Sequence, residues 1–306
     1  MTDLLEFWQY PNEKDIVMLA GWRQWADAGN ISSGLLRYLI NQTEAHRIGR
    51  LNTAGCYLFQ VPGAHHFLRP DVVLEDGLVK SHQAYSNEFF YCTRGDKGLV
   101  LFLGEEPHLA AETYGDAWLN AVEALHVRRV VCLGGVYGPM PYDRERELHA
   151  VYSVPSLRSE LEPYAVKFSD YEGGSTIGTY LAYRAGQRGI ELLDLYAFVP
   201  SYDFAQLSQQ VQGLRIESDY QAWFEVMRRI NHMFDLGLDL NELEVSALEL
   251  ASSMDSKIEE LGRKYPTLKV KDFMQQLADA FEENSFAPLD DLWERELGDL
   301  LDDLEA

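Results

Sequence analysis

Continuous apolar runs of strand length alternate with stretches of helical periodicity along the first two thirds of the chain. Residues 15–22 read as a buried strand, Ile16-Val-Met-Leu-Ala20, closed by Gly21. Leu99-Val-Leu-Phe-Leu103, residues 127–133 and residues 191–199 are runs of the same kind, apolar on both faces. Between them lie helical patterns. Leu35, Leu36, Leu39 and Ile40 share one face, with Asn30 placed to cap their helix, and residues 113–125, 156–164 and 177–187 carry further helices. Residues 78–93 alternate loosely and end at Arg94-Gly-Asp-Lys-Gly98, a turn between two strands. A strand-then-helix order of this kind predicts a mainly parallel sheet covered on both faces, a three-layer α/β/α sandwich.

The pattern changes after about Gly213. Tyr220, Trp223, Met227, Ile230 and Phe234 recur at spacings of three and four, and so do Leu243, Ala247, Leu250, Met254, Ile258 and Leu261. Val270, Phe273, Leu277 and Phe281 repeat the pattern, as do Leu289, Trp293, Leu297, Leu300 and Leu304. Four amphipathic helices in succession are expected, with Trp223, Phe234, Phe273 and Phe281 largely buried. The chain therefore divides into a sandwich domain over residues 1–213 and an all-helical region over residues 214–306. Residues 282–306 hold ten carboxylates and one arginine, and read either as the solvated face of a terminal helix or as a partner-binding arm whose apolar face needs a cover.

Composition narrows the function classes. The 306 residues are 46% apolar and carry a formal net charge of −23. Phosphate backbones and anionic membranes repel such a chain, and the basic doublets Arg128-Arg129 and Arg228-Arg229 belong to no longer basic run. No stretch approaches the ~20 apolar residues that span a bilayer. Cys56, Cys92 and Cys132 are widely separated, without disulfide or ligand spacing. The expectation is a reduced, cytoplasmic protein with no nucleic-acid partner and no membrane insertion.

Candidate chemistry gathers behind two of the strands. Gly134-Gly135-Val-Tyr137-Gly138 follows the run at 130–133 and leads into Tyr142-Asp-Arg144-Glu-Arg-Glu147; Glu172-Gly173-Gly-Ser-Thr176 opens onto the helix at 177. Strands that end in glycines and then in charges form a crevice at the carboxyl edge of an open α/β sheet. With Asp27 and Gly29 from the first strand–helix loop, the candidate crevice residues are Asp27, Gly29, Gly134, Gly135, Tyr137, Tyr142, Arg144, Glu172 and Gly173. Acid–base work there requires one carboxylate to be desolvated beside another, and convergence of Asp27, Tyr142, Arg144 and Glu172 in one closed pocket would mark an enzyme. The loop glycines match neither the phosphate loop nor the dinucleotide fingerprint, and Trp22 and Trp25 are expected to pack beneath that loop. Ser175 lacks the Gly-x-Ser-x-Gly context of a nucleophile and serves as a helix cap. His65-His66 has no ligand spacing, so no catalytic residue, metal or cofactor is assigned.

Four segments in order resemble the proteasome assembly chaperone 2 (PAC2) family in its bacterial, actinobacterial-type branch. They are Gly21-Trp-Arg-Gln-Trp-Ala-Asp-Ala-Gly29; Gly134-Gly-Val-Tyr-Gly138 with Tyr142-Asp-Arg144; Tyr171-Glu-Gly-Gly-Ser-Thr-Ile177; and Leu195-Tyr-Ala-Phe-Val-Pro-Ser-Tyr202. The likeness covers residues 15 to about 240. It implies a sandwich like that of purine nucleoside phosphorylases and a non-catalytic assembly factor that forms homo-oligomers and binds protein partners; a trimer is the first expectation, on that likeness and because four amphipathic C-terminal helices carry more apolar stripe than one α/β face covers. The alternative is an enzyme on that phosphorylase-like fold, acting on a small molecule in the crevice after Gly134 and Gly173. Ring-docking chaperones of this kind use a C-terminal hydrophobic–Tyr–any tripeptide. Here the last three residues are Leu304-Glu305-Ala306, so docking by that route is not expected.

Overall fold

Odd- and even-numbered residues of the central strands feed two separate cores, one on each side of a single sheet. The computed structural model describes residues 4–23, 25–53, 55–59, 71–83, 85–204 and 213–286. Strands β1 (Leu5–Phe7), β2 (Asp15–Arg23), β3 (His46–Leu51), β6 (Glu88–Arg94), β7 (Lys97–Glu105), β8 (Arg129–Gly138), β9 (Leu148–Tyr152), β10 (Lys167–Phe168) and β11 (Glu191–Tyr202) form one sheet. Their order is β1-β3-β6-β7-β2-β8-β11-β9-β10, and β12 (Leu214–Arg215) pairs the end of β11. The four central strands β7, β2, β8 and β11 run parallel, with antiparallel pairings flanking them. A two-stranded ribbon, β4 (Asp71–Glu75) with β5 (Leu78–Gln83), stands apart from this sheet.

The strict period of two sends Val17, Leu19, Leu99, Leu101, Val131, Leu133, Leu193 and Leu195 to one face. Met18, Ala20, Val100, Phe102, Val130, Cys132 and Leu192 point to the other. Helices α1 (Gly34–Gln42), α3 (Leu157–Leu161) and α5 (Tyr220–Phe234) cover the first face, with α6 (Asn241–Lys264) packed on α5 and α7 (Val270–Ala280) following. Helices α2 (Ala111–Ala124) and α4 (Ile177–Arg188) cover the second. The three layers and mostly parallel sheet expected from the alternation are present. The helices read at residues 220–234, 243–261 and 270–281 are present as α5, α6 and α7, while the one read at 289–304 lies outside the described residues.

Local details correct the reading in several places. Gly134 and Gly135 do not end their strand: β8 stays paired with β11 as far as Gly138. They are there because other groups press close. A Cβ on Gly134 would lie 2.6 Å from the Tyr196 ring, and one on Gly135 2.1 Å from the Ala28 carbonyl oxygen. Asn30 does not cap α1; it adopts a positive φ of 52° and donates to Ser218 Oγ at 3.0 Å, while the Asp27 carboxylate accepts from the Ser32 and Ser33 amides. The cap of α4 is Thr176, not Ser175, with its hydroxyl accepting from the Thr179 amide. Trp22 is buried as expected, but Trp25 is 76% exposed. Phe281 follows α7 in an extended conformation and is half-buried, as is Phe273.

Candidate functional site

Strands β2, β8 and β11 bring their carboxyl ends to one edge, where register sets Ala20 beside Cys132, Cys132 beside Asp194, and Gly134 beside Tyr196. This is the place where open parallel sheets hold ligands. Here the crevice is closed by the chain's own side chains. Trp22, Cys132, Gly134, Thr176, Asp194 and Tyr196 are among the residues lining what remains, a cavity of about 10 Å³. That is room for one water-sized sphere.

Two glycines make the closure possible. The bare Cα of Gly134 lets the Tyr196 ring lie across β8, and that of Gly178 seats the first turn of α4 on the Asp194 carboxyl, 2.6 Å from where a Cβ would stand. Tyr196 donates its hydroxyl proton to Asp194, and Thr179 Oγ1 donates to the same carboxylate at 3.3 Å. The Thr176 and Thr179 hydroxyls also meet Tyr196 Oη, at 2.5 and 2.8 Å. Burial raises the Asp194 carboxyl to about 7, partly opposed by the Tyr196 and Thr179 hydrogen bonds. Burial and the Asp194 charge push the Tyr196 phenol far up, and burial holds the Cys132 thiol well above its usual range, which makes it unreactive. Glu106 lines the same cavity, its carboxyl raised by burial while it accepts from the Trp25 amide at 3.3 Å. The cluster is a satisfied polar plug between α4 and the sheet.

The residues singled out from the sequence fall in several places. Asp27 accepts from the Ser32 and Ser33 amides, each at 2.9 Å, and from Ser33 Oγ at 2.6 Å; burial nonetheless moves its carboxyl upward. It borders an open groove of about 690 Å³ between α1, α5 and α6, with Arg23, Arg37, Tyr38, Tyr220 and Glu242 among its other walls. Gly29 adopts φ 63°, in the left-handed region, and its carbonyl accepts from the Asp219 amide and the Trp223 indole. Gly135 donates to the Ala26 carbonyl at 2.9 Å and so ties β8 to the loop that carries Asp27. Tyr137 donates to the Ile216 carbonyl and lies under the Arg215 guanidinium. Tyr142 donates to Asp255 on α6 at 2.5 Å, and Arg144, exposed, lies 3.6 Å from Glu283. Glu172 and Gly173 lie on an exposed loop, where Tyr171 Oη closes over the Gly173 backbone. Among the described residues no hydrogen bond or ion pair joins Asp27, Tyr142, Arg144 and Glu172 to one another.

Sequence reasoning passed over the groups that are most deeply buried. Arg146, read as one of a run of exposed charges, is enclosed: its guanidinium grips Asp219 at 2.8 and 3.2 Å and donates to the Tyr142 and Arg144 carbonyls. Arg229 pairs with Glu225 at 2.8 Å on the same helix and donates to the Tyr164 carbonyl. Asp194 carried a usable signal, since a single acid inside Leu192-Leu-Asp-Leu195 faces a core and needs partners there. Among the described residues no group of three or more His, Cys, Asp or Glu side chains could hold a metal ion, and no helix is long and apolar enough to cross a membrane.

The sequence profile of the PAC2 family matches residues 22–258, a span that contains the crevice, the plug and helix α5. The chain belongs to the PAC2 family. Solved PAC2-type structures share its fold. A PAC2 family protein from Streptomyces avermitilis superposes with a TM-score of 0.67 at 24% identity, over 82% of this chain and 99% of that one. A proteasome-assembly chaperone homologue from Mycobacterium tuberculosis gives 0.67 at 21% identity, over 78% and 94%. An archaeal proteasome activator from Pyrococcus furiosus gives 0.57 at 18% identity, over 83% and 98%. No curated protein matches the chain.

Proposed function

We propose that this PAC2 protein is a non-catalytic, self-associating scaffold that binds protein partners in an assembly-chaperone-like role. The observation that carries the reading is the closed crevice. An enzyme on this fold needs volume at the carboxyl edge of β2, β8 and β11, and typical small-molecule sites enclose ~300–1,000 Å³. The crevice here keeps about 10 Å³, filled from within by Tyr196, Asp194 and Thr176. The acid–base candidates Asp27, Tyr142, Arg144 and Glu172 do not support the enzyme reading either, since each is bound to a structural partner or stands on an exposed loop. Kinship with solved proteins described as a proteasome-assembly chaperone homologue and a proteasome activator supports an assembly role. A closed homo-oligomer, a trimer first, fits the usual way in which surplus apolar surface is covered.

Native mass spectrometry of the purified chain, alone and mixed with unassembled proteasome subunits, tests the proposal. A closed homo-oligomer that captures the subunits, without turnover of nucleosides, esters or peptides, is expected. A monomer of 34.9 kDa under all conditions, or a turnover abolished by Asp194→Asn, overturns it.

A further inference from the structure

One aromatic side chain of this protein is held as a docked ligand is held. After α7 the backbone runs from Phe281 to Phe286 in neither helix nor strand, and Glu282, Glu283, Asn284 and Ser285 are exposed. Phe286 dips back and is 4% exposed. Its ring stacks on Tyr164 at 5.8 Å and meets the His232 ring edge-on at 5.7 Å, with the Arg228 and Arg229 guanidiniums 5.6 and 5.0 Å from its centre. Its main chain is gripped on both sides: the amide donates to Glu145 Oε2 at 3.2 Å, and the carbonyl accepts from Arg228 Nη2 at 2.7 Å. Three positions earlier, Glu283 accepts from the Glu145 amide at 3.1 Å and lies 3.6 Å from Arg144.

We propose that the pocket of Glu145, Tyr164, Arg228, Arg229 and His232 is a peptide-recognition site. Residues 283–286 occupy it as a strap, and an acid-x-x-aromatic segment of a partner protein takes it when the strap lifts; this rests on the partner binding proposed above. The pocket is built without the strap. Arg228, Arg229 and His232 stand on α5, and Arg229 is fixed by Glu225 and by the Tyr164 carbonyl, each at 2.8 Å. The strap is the weakly held member. Between its two phenylalanines it does not seat closely, leaving a cavity of about 10 Å³ beneath Phe281, Glu282 and Asn284. Segments with so few buried contacts open locally at little cost. Arg229 then decides what can replace the strap. It is 1% exposed, its Nη2 has no hydrogen bond, and Glu145 Oε2 stands 4.0 Å from that nitrogen. A buried cation left so open requires the face of a ring over it, while Arg144 and the Glu145 amide require a carboxylate three residues ahead. A basic or purely aliphatic segment meets neither demand.

The test uses the full chain and a fluorescein-labelled, amidated peptide with the sequence of residues 281–286, read by fluorescence anisotropy. A tethered strap competes at an effective concentration of ~1 mM, so Phe286→Ala should bind the peptide at least about tenfold more tightly than wild type. Peptides carrying Phe286→Ala or Glu283→Gln should bind the strap-free chain about tenfold more weakly or worse, and adding Arg228→Ala to that chain should do the same. Equal binding by wild type and Phe286→Ala, or binding by neither, overturns the site. Hydrogen exchange on wild type needs no variant to fold. The Phe286 amide should exchange at least about tenfold faster than the amides of α5, and exchange in step with α5 would make the strap fixed packing and end the proposal. If proteasome subunits are captured but no peptide binds, the pocket falls and partner binding stands. If the peptide binds but no subunit is captured, the pocket stands and the assembly role falls.

Discussion

Arg146 and Asp219 hold each other through two N–H···O bonds, with both side chains sealed from solvent. The pair joins three parts of the chain. Arg146 brings the loop before β9, Asp219 caps α5 through the Ala222 amide, and the Asp219 amide reaches the Gly29 carbonyl beside the carboxyl ends of the strands. Removing one partner strands a buried charge, which costs about 3–5 kcal/mol. Arg146→Met and Asp219→Leu should each lose that much in urea denaturation, and the double variant should lose clearly less than the sum. Additive losses would show that the two side chains stabilise the fold independently.

Gly135 is a position where a methyl group has nowhere to go. Its Cβ would meet the Ala28 carbonyl oxygen at 2.1 Å, and a backbone atom cannot swing aside as a side chain can. Gly135→Ala should destabilise by about 1–3 kcal/mol or more, the usual penalty of overpacking. Gly174→Ala serves as the control, because nothing lies within 4 Å of that Cβ. Its midpoint should barely move.

These two sites show what was legible in the sequence. The strand at 130–133, its glycines and the alternation with helices predict the sheet and its carboxyl edge, since burial on both faces writes itself as uninterrupted apolar runs. The purpose of Gly134 and Gly135 was not legible, because a close approach depends on Tyr196 and Ala28, which reach them only through tertiary packing. The same holds for Arg146: flanked by Glu145 and Glu147 it looks solvated, and its true partner is 73 positions away. Strand β9, Leu148–Tyr152, went unread because it follows that charge run and lies in the antiparallel margin, where strands are short and half polar.

Asp194 makes a pH-dependent prediction. Its carboxyl is raised to about 7 when folded, against 3.8 for a free side chain, so the native state holds its proton more tightly than the unfolded state does. Its contribution is most favourable below pH 3.8 and is lost as pH rises through about 7, beyond which it stays constant. Asp194→Asn keeps the shape and removes the titration. The stability of wild type relative to this variant should therefore fall between pH 4 and 7, by up to about 4 kcal/mol for a shift of roughly three units. A difference that is flat across this range would mean that the plug holds Asp194 ionised throughout.

Trp223 fastens the helical region to the sheet, and its truncation measures how firmly. The indole lies against Gly34 of α1 and beside the rings of Tyr38 and Tyr220, with centroids 6.2 and 4.9 Å away, and its N–H donates to the Gly29 carbonyl at 3.0 Å. Helix α5 draws its stability from such packing, because isolated helices of its 15 residues are marginal in water. Trp223→Ala leaves a cavity and takes one of the two donors from the Gly29 carbonyl, which keeps the Asp219 amide, and should cost about 3–5 kcal/mol. Trp223→Phe keeps most of the packing but loses the hydrogen bond, and should cost closer to ~1–2 kcal/mol. Equilibrium unfolding followed by both far-ultraviolet circular dichroism and tyrosine fluorescence checks this. The two probes should lose stability together if α5 and the sheet unfold as one unit. A loss under about 1 kcal/mol for the alanine variant would show that the helices ride loosely on the sheet.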